Sequence, residues 1–233
     1  MDQKQKSAIQ ENLLALYLRL NGYFTTGLIV HSSEKGKNRT EIDSLAVRFP
    51  YNSEPQREIL PSKYIKTSCQ YVDLLICEVK SRGQQLRFNE NLYKTKDALI
   101  DVLRWAGMFK ENDVLILAKN LQSELAPNNL KKNKMPEIVG PDYSKTRIRG
   151  VLCSPERWEK RNNQNWFING KELFDYIHKC LRPSIARSKC STKYDYTLWT
   201  PKLEPIVKYF KKQDNIGRIN NLYSFIEKDT NCL

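Results

Sequence analysis

The sequence predicts an α/β protein built on a mixed β-sheet with helices on both faces. Three observations support this fold class. Residues 7–21 carry apolar side chains at helical spacing, which predicts a largely buried first helix ending at Asn21-Gly22. Residues 74–79 form an almost continuous apolar run, which is typical of a strand covered on both faces. Helical and strand patterns then alternate further along the chain, as in layered α/β domains.

Two strand-like segments lie between the first helix and the buried strand. Residues 23–31 and 39–49 are rich in apolar, aromatic and β-branched side chains, and Gly36-Lys37-Asn38 supplies turn residues between them. We therefore expect a β-hairpin here. Residues 50–71 contain three prolines and several Asn and Ser residues, which predict a loop insertion before the buried strand.

The remaining elements follow from the same patterns. We predict helices over 92–109, 171–181 and 203–212, strands over 113–118, 147–153 and 166–168, and a long basic loop over 120–143. The core of the fold is assigned to residues 1–181, and residues 182–233 are expected to form a basic, aromatic, helical extension packed on it. Aromatic residues among lysines either stack on bases or pack a helix, and we favour packing for Trp199 and Phe210.

The buried strand ends in two opposite charges, Glu78 and Lys80. Because side chains alternate along a strand, both project from the same face. Burying a carboxylate and an ammonium is costly unless they are paired or used. They therefore form either a structural ion pair or a catalytic pair, in which the carboxylate binds a metal and the ammonium contacts a phosphate or a nucleophilic water.

A second carboxylate, Asp43, shares a mostly apolar strand face with Leu45 and Val47. Matching parity on consecutive strands predicts that Asp43, Glu78 and Lys80 converge at one edge of the sheet. Asp73 is closer to Glu78 in sequence, but in a regular strand it faces away from Glu78. It would compete with Asp43 only if a bulge intervened.

The order of these segments resembles the PD-(D/E)XK nuclease superfamily, which includes type II restriction endonucleases and archaeal Holliday junction resolvases. The resemblance covers roughly residues 7–120 and rests on four segments in chain order: a first-helix Glu11, Gly22-Tyr23-Phe24, Glu41-Ile42-Asp43-Ser44-Leu45-Ala46, and Ile76-Cys77-Glu78-Val79-Lys80-Ser81. Two departures are Ile42 in place of the family's nominal Pro and the long segment between Asp43 and Glu78. The resemblance implies a restriction-endonuclease-like sheet flanked by helices.

The resemblance also implies a function, metal-dependent hydrolysis of phosphodiester bonds, most simply by a DNA endonuclease. Asp43 and Glu78 would bind Mg²⁺, or Mn²⁺ in its place, together with the backbone carbonyl of Val79; hard oxygen ligands suit such ions. Lys80 would contact the scissile phosphate or the attacking water. Glu11 would orient Lys80 or bind the metal through water, but a solvated residue that complements the helix dipole is an equal alternative.

Charge supports a polyanionic partner. The 233 residues carry a net charge of +13, and the excess is concentrated in residues 131–150 and 179–218. Clustered positive charge is typical of proteins that bind nucleic acid, although it also fits a solvated basic surface. We take DNA as the favoured partner and these lysines as candidate contacts: Lys131, Lys132, Lys134, Lys208, Lys211 and Lys212.

Other classes are disfavoured. No segment approaches the ~18 consecutive apolar residues of a membrane helix, and the N-terminus lacks the pattern of a secretory signal. The six cysteines include no Cys-x-x-Cys, and there are only two histidines, so neither a zinc site nor a disulfide framework is expected. We expect a cytoplasmic protein without a membrane partner, and a homodimer stays open. The alternatives are a catalytically silent nucleic-acid-binding module on the same fold and an α/β protein without nuclease activity.

Overall fold

A computed structural model describes residues 1–31, 38–54, 59–95, 97–130, 134–158, 166–182 and 199–230. They form a mixed α/β structure in which helices flank an open, mostly antiparallel sheet. The elements in chain order are α1 (Gln3–Leu20), β1 (Phe24–His31), β2 (Asn38–Arg48), β3 (Val72–Val79), α2 (Glu90–Lys94), α3 (Ala98–Ala106), α4 (Glu111–Leu125), α5 (Pro127–Leu130), β4 (Glu137–Val139), β5 (Thr146–Ser154), β6 (Phe167–Asn169), α6 (Gly170–Leu181), α7 (Glu204–Lys212) and α8 (Ile219–Thr230).

The six strands lie in the order β1-β2-β3-β5-β4, and β6 pairs with the same edge of β5 as β4 does. β1, β2 and β3 form an antiparallel meander. β3 and β5 are parallel over their whole length, and the chain between them contains α2 to α5. β3 thus lies in the middle of the sheet, which explains its almost continuous apolar run.

Apolar side chains are buried on both faces of the sheet. One face packs against α1, α6, α7 and α8, where Leu75 and Cys77 of β3 meet Leu13 of α1 and Phe174 of α6. The other face packs against α2, α3 and α4 through Leu74, Ile76 and their neighbours. Full burial of one such side chain contributes roughly 1.5–3 kcal/mol, so these two layers dominate the stability of the fold.

Helix α1 starts earlier than predicted because Asp2 and Gln5 form a capping box. At its other end Gly22 has a φ of 84°, in the left-handed region that favours glycine. A Cβ at Gly22 would lie 2.3 Å from Asn52 Oδ1, so the chain also needs glycine there for space. The conformation at Gly22 therefore sets the direction in which the chain passes from α1 into β1.

Three sequence-based predictions for the middle of the chain are wrong. Residues 113–118 belong to α4 and not to a strand, because the buried side chains recur at helical spacing: Val114, Leu117, Ala118, Leu121 and Leu125. Leu115 and Ile116 stay exposed. Residues 120–143 are not one loop, since they contain the end of α4, α5 and β4. Residues 92–109 are divided between α2 and α3, and Gly107 ends α3 in a left-handed conformation.

The other elements agree with the sequence patterns. Strands at 147–153 and 166–168 and helices at 171–181 and 203–212 are confirmed as β5, β6, α6 and α7. Phe210 is buried and Trp199 partly buried against the α1 side of the core. Helix α8, which the sequence patterns did not predict, packs there too. No helix among the described residues is long and apolar enough to cross a membrane.

Candidate active site

Asp43 lies at a bulge in β2. Thr26 pairs with Leu45 and Leu28 with Ile42, so two residues of β2, Asp43 and Ser44, lie opposite Gly27 alone. The bulge corrects the prediction of strict alternation, because Ile42 and Leu45 are buried in the same apolar cluster. A β-bulge changes the direction of nearby side chains. At this bulge the Asp43 carboxylate contacts the backbone of β3.

Next to the bulge, the side chain of Asp43 and not a backbone carbonyl of β2 accepts the hydrogen bond from β3. The ladder between β2 and β3 ends at Ser44 and Cys77. Beyond that pair, Asp43 Oδ2 accepts a hydrogen bond of 2.6 Å from the backbone N–H of Val79. Asp43 is therefore held against Val79 at the end of β3, and Val79 lies between Glu78 and Lys80 in the sequence.

Glu78 is almost fully buried, with 2% of its surface exposed. Its two carboxylate oxygens accept hydrogen bonds of 2.8 and 2.9 Å from the backbone N–H of Asn89. Lys80 Nζ lies 2.6 Å from Glu78 Oε2. The chain at Lys80 is itself fixed, because its N–H donates to Cys153 O and its carbonyl accepts from Ser154 Oγ. Both charged groups are thus held in place by the backbone around them.

Glu11 interacts with Asp43 from α1. It is half-buried and accepts a hydrogen bond of 3.1 Å from Ser7 Oγ, one turn earlier in the helix. Burial raises the pKa of Glu11, and the negative charge of Asp43 raises it further. Because charges interact strongly only at short range, Glu11 belongs to the same electrostatic cluster as Asp43.

The pKa values of the other two carboxyl groups are also raised, first by burial in each case. For Asp43 the Val79 N–H and Lys80 offset part of this effect. For Glu78 the offset comes from Lys80 and from the Asn89 N–H, whereas the charge of Asp43 raises the pKa. We refer to Glu11, Asp43, Glu78 and Lys80 as the acidic cluster. Lys80 offsets the charge of Asp43 and Glu78, Lys202 offsets that of Glu11, and Glu41 adds negative charge near Glu11 and Asp43, so a divalent cation would relieve the repulsion among the carboxylates.

The donor set fits a hard cation such as Mg²⁺, which proteins usually bind through one or two carboxylates while it keeps several waters. Asp43 and Glu78 offer these oxygens, and the Val79 carbonyl lies between them in sequence. In the described part of the chain, no three His, Cys, Asp or Glu side chains form a group arranged to hold a metal ion. An ion bound here would share Glu78 with Lys80 and Asn89.

Asp73, the rival acid, has another role. It is fully buried at the opposite end of β3 and accepts hydrogen bonds from Arg147, Arg149 and the Tyr23 hydroxyl. Burial would raise the pKa of Asp73, but these hydrogen bonds and the charge of Arg149 lower it below its usual value. Asp73 is therefore part of a buried ionic network and lies away from the acidic cluster.

The structure does not place the candidate nucleic-acid lysines with the acidic cluster. Lys131 and Lys132 lie outside the described residues, and Lys134 is exposed before β4. Lys208 forms an ion pair with Asp229 at 2.6 Å on the facing helix α8. Lys211 and Lys212 lie in the last turn of α7. Helix α7 packs between α6 and α8, whereas Asp43 lies at the bulge of β2 and Glu78 at the end of β3.

Sequence reasoning missed three groups that support the cluster. Asn89 holds Glu78 through its backbone, and Ser7 holds Glu11. Lys202 is close enough to lower the pKa of Glu11, against the larger effect of burial. Asn89 was detectable, since Asn before a helical pattern is a typical N-cap and its side chain caps α2. Ser7 and Lys202 carried no such signal.

No family model matches the chain, and no curated protein or solved structure is significantly similar to it. The resemblance to PD-(D/E)XK nucleases therefore stays a sequence-based hypothesis.

Proposed function

We propose that the protein is a metal-dependent nuclease, a DNA endonuclease of restriction-endonuclease-like architecture. One observation carries the proposal. The buried carboxylate of Glu78 contacts the ammonium of Lys80, and the partly buried carboxylate of Asp43 accepts the N–H of Val79 between them. Burial raises the pKa of both carboxyl groups, and groups with pKa values perturbed in this way are concentrated at functional sites.

Each of these residues has its own role in phosphodiester hydrolysis. Asp43, Glu78 and the Val79 carbonyl would hold Mg²⁺, which when bound neutralises phosphate charge and lowers the pKa of a water. Lys80 presents a positive charge to the anionic phosphate, where charge develops in the transition state. The attacking water adds its oxygen to phosphorus and loses a proton, and the bond from phosphorus to the leaving oxygen breaks. That oxygen then takes up a proton.

We assign to Glu11 the role of accepting the proton from the water. A general base works best when its pKa lies near the working pH, and both burial and Asp43 raise the pKa of Glu11. The Ser7 hydroxyl, 3.1 Å from Glu11 Oε1, fixes the carboxylate toward one orientation. Glu11 would thus act as a base rather than as a direct metal ligand.

A second function, nucleic-acid binding without cleavage, is favoured by one contact pattern. Both oxygens of Glu78 already accept the Asn89 N–H, and one of them also contacts Lys80. If these interactions hold Glu78 too firmly for it to bind a metal, the cluster would only complement a phosphate backbone through Lys80. Cleavage assays separate the two functions.

The test is incubation of the full chain with plasmid and linear DNA in Mg²⁺, in Mn²⁺ and in EDTA. We expect cleavage with either metal and none in EDTA. Asp43→Ala, Glu78→Ala and Lys80→Ala each remove several kcal/mol of transition-state stabilisation, a loss of at least about 10²-fold. Because the three groups act as a unit, a double variant should be little worse than a single one.

Glu111→Gln, on the exposed side of α4, is the matched control and should cleave normally. Cleavage that persists in Glu78→Ala or in EDTA would overturn the mechanism. Tight DNA binding with no cleavage in any metal would establish the binding module instead.

A further inference from the structure

The chain that follows Lys80 is held by the end of β5 and the residues after it. The N–H of Lys80 donates to Cys153 O at 2.8 Å, which continues the ladder between β3 and β5. The carbonyl of Lys80 accepts from Ser154 Oγ at 2.6 Å. Two residues further on, the N–H of Arg82 donates to Glu156 Oε2 at 2.7 Å. Glu156 therefore extends this hold beyond the end of the sheet.

Glu156 also contacts α1, at the residue next to Glu11. Its Oε1 accepts a hydrogen bond of 3.4 Å from Gln10 Nε2. The same amide nitrogen of Gln10 donates to Ser81 Oγ at 3.4 Å. Gln10 directly precedes Glu11, and Ser81 directly follows Lys80. Glu156 thus joins the two segments of the chain that carry Glu11 and Lys80.

The hydrogen bonds of Glu156 come from neutral donors. The third is the hydroxyl of Tyr223 in α8, which donates to Oε1 at 3.2 Å. In the described part of the chain, no cation forms an ion pair with this partly buried carboxylate. A carboxylate has about four acceptor positions and no donor, so it can hold donors from three elements at once. Its chemistry suits it to fix geometry, since no partner charge is present for it to neutralise.

The neighbouring Arg157 makes a different set of contacts. It donates to the carbonyls of Arg82 and Gln84 at 3.0 and 2.8 Å, and so holds the loop between β3 and α2 against the segment after β5. Glu156 adds the connection from this loop to α1 and α8. The alignment of the loop with α1 therefore depends on Glu156.

The position of Lys80 matters for the proposed reaction. A displacement of about 1 Å in a group that acts on the substrate can cost about 10²-fold in rate. The ammonium of Lys80 contacts Glu78 Oε2 at 2.6 Å, and a metal ion bound by Glu78 would compete for that contact. The backbone on both sides of Lys80 would then set where its ammonium lies.

We propose that Glu156 is a positioning residue of the candidate active site, which aligns the chain after Lys80 with α1 and so directs the Lys80 ammonium at the phosphate. Glu156 itself would contact neither the substrate nor a metal. The consequence for catalysis rests on the proposed nuclease function. The effect on the chain at Lys80 does not, because it depends only on the hydrogen bonds of Glu156.

The first test does not need cleavage. Amide hydrogen exchange of the full chain in EDTA, resolved by NMR, compares wild type with Glu156→Ala. The Arg82 amide should lose protection because its acceptor is removed. The proposal requires more, namely that the Lys80 amide, whose acceptor Cys153 O is untouched, also exchanges about tenfold faster, as the loss of a hydrogen bond to a charged group would allow.

Glu172→Ala is the matched control. Glu172 is also a partly buried carboxylate that binds α1, and it accepts hydrogen bonds from Tyr17 and Ser62. Its loss should loosen α1 without affecting the chain at Lys80. Exchange at Lys80 should therefore stay as in wild type. Far-UV circular dichroism checks that each variant folds, and Glu156→Asp, which keeps the charge but shortens the side chain, should show the same direction of change if Glu156→Ala does not fold.

Cleavage kinetics give the second test. Glu156→Ala should lower the single-turnover rate about 10- to 100-fold while the Kd for DNA in EDTA stays within about twofold, because no contact to the substrate is removed. Glu156→Gln should restore most of the rate. Its carbonyl can accept the Arg82 N–H, and its amide can donate to Gln10 Oε1, which is buried and has no partner among the described residues.

Unchanged exchange at Lys80 in Glu156→Ala would overturn the proposal. Equally fast exchange at Lys80 in Glu172→Ala would do the same, because it would indicate general loosening of α1. If Glu156→Gln were as slow as Glu156→Ala, the charge of Glu156 would be needed and a positioning role would be excluded. Faster exchange at Lys80 in a protein that cleaves no DNA would support the positioning role and would overturn only the reaction that it serves.

Discussion

Asp73→Asn should destabilise the protein strongly without disabling the proposed active site. The carboxylate accepts hydrogen bonds from Arg147 at 2.9 and 3.1 Å, from Arg149 at 3.0 Å and from Tyr23 at 2.6 Å. Arg149 is itself only 2% exposed. Asn keeps the shape of the side chain but removes its charge, so a buried guanidinium loses its counter-ion.

Removing one partner of a buried ion pair costs about 3–5 kcal/mol. For a chain of this size 1 kcal/mol corresponds to roughly 2–4 °C in melting temperature, so we expect a decrease of roughly 6–20 °C. Urea unfolding and calorimetry at pH 7 measure it. The matched control is Asp101→Asn, whose pairs with Arg39 and Arg104 are more exposed and should be worth no more than about 1 kcal/mol.

The pH dependence gives an independent check. The pKa of Asp73 is lowered in the folded state, so its stabilising effect is present above the ordinary carboxyl pKa of about 3.9 and is lost as the pH falls through the folded value. The difference between wild type and Asp73→Asn should therefore be the same at pH 5 and pH 7 and should shrink below about pH 4. A difference under 0.5 kcal/mol at pH 7, roughly that of a surface substitution, would refute the network as a stabilising element.

Two further results are expected. Burial raises the pKa of Asp43 above its unfolded value, so the folded protein becomes less stable as the pH rises from about 4 through the folded pKa and Asp43 ionises. Asp43→Asn in EDTA should therefore melt at a higher temperature than wild type at pH 7 but not at pH 3. A lower melting temperature of the variant at pH 7 would contradict this. DNA affinity should fall roughly 10³-fold between 50 and 200 mM salt if at least six phosphates are contacted, and an affinity that does not change with salt would argue against phosphate-dominated contact. The double variant Lys211→Glu, Lys212→Glu should bind DNA more weakly, while single-turnover cleavage of bound DNA is unchanged.

The sequence was most informative where local pattern and tertiary environment agree. β3 is buried on both faces, so its apolar run was visible without any knowledge of its neighbours. The contact of Glu78 with Lys80 follows from alternation within one strand, which involves no distant residue. These are the parts of the fold and of the candidate site that could be predicted.

Other features depend on contacts between distant segments. The run Val114 to Ala118 fits a strand or a helix equally well, and only packing of α4 against the sheet decides for the helix. Asp73 and Arg149 are 76 positions apart, so their pairing needed the parallel register of β3 and β5. The bulge at Asp43 likewise depends on how β1 pairs with β2. No composition or spacing rule reports such register choices.

The way α1 is anchored has a consequence for the timing of synthesis. Tyr17 of α1 donates to Glu172 of α6 across 155 residues, and Gln10 contacts Glu156 across 146. Contacts at such separations form late, and a ribosome adding ~5–20 residues each second needs many seconds to supply α6. Packing of α1 on β1, β2 and β3 needs only the first 79 residues, whereas its contacts with α6 wait until α6 has emerged. The anchoring of α1 to α6 therefore comes last, and the first helix is fully held in place only after residues 170–181 have been synthesised.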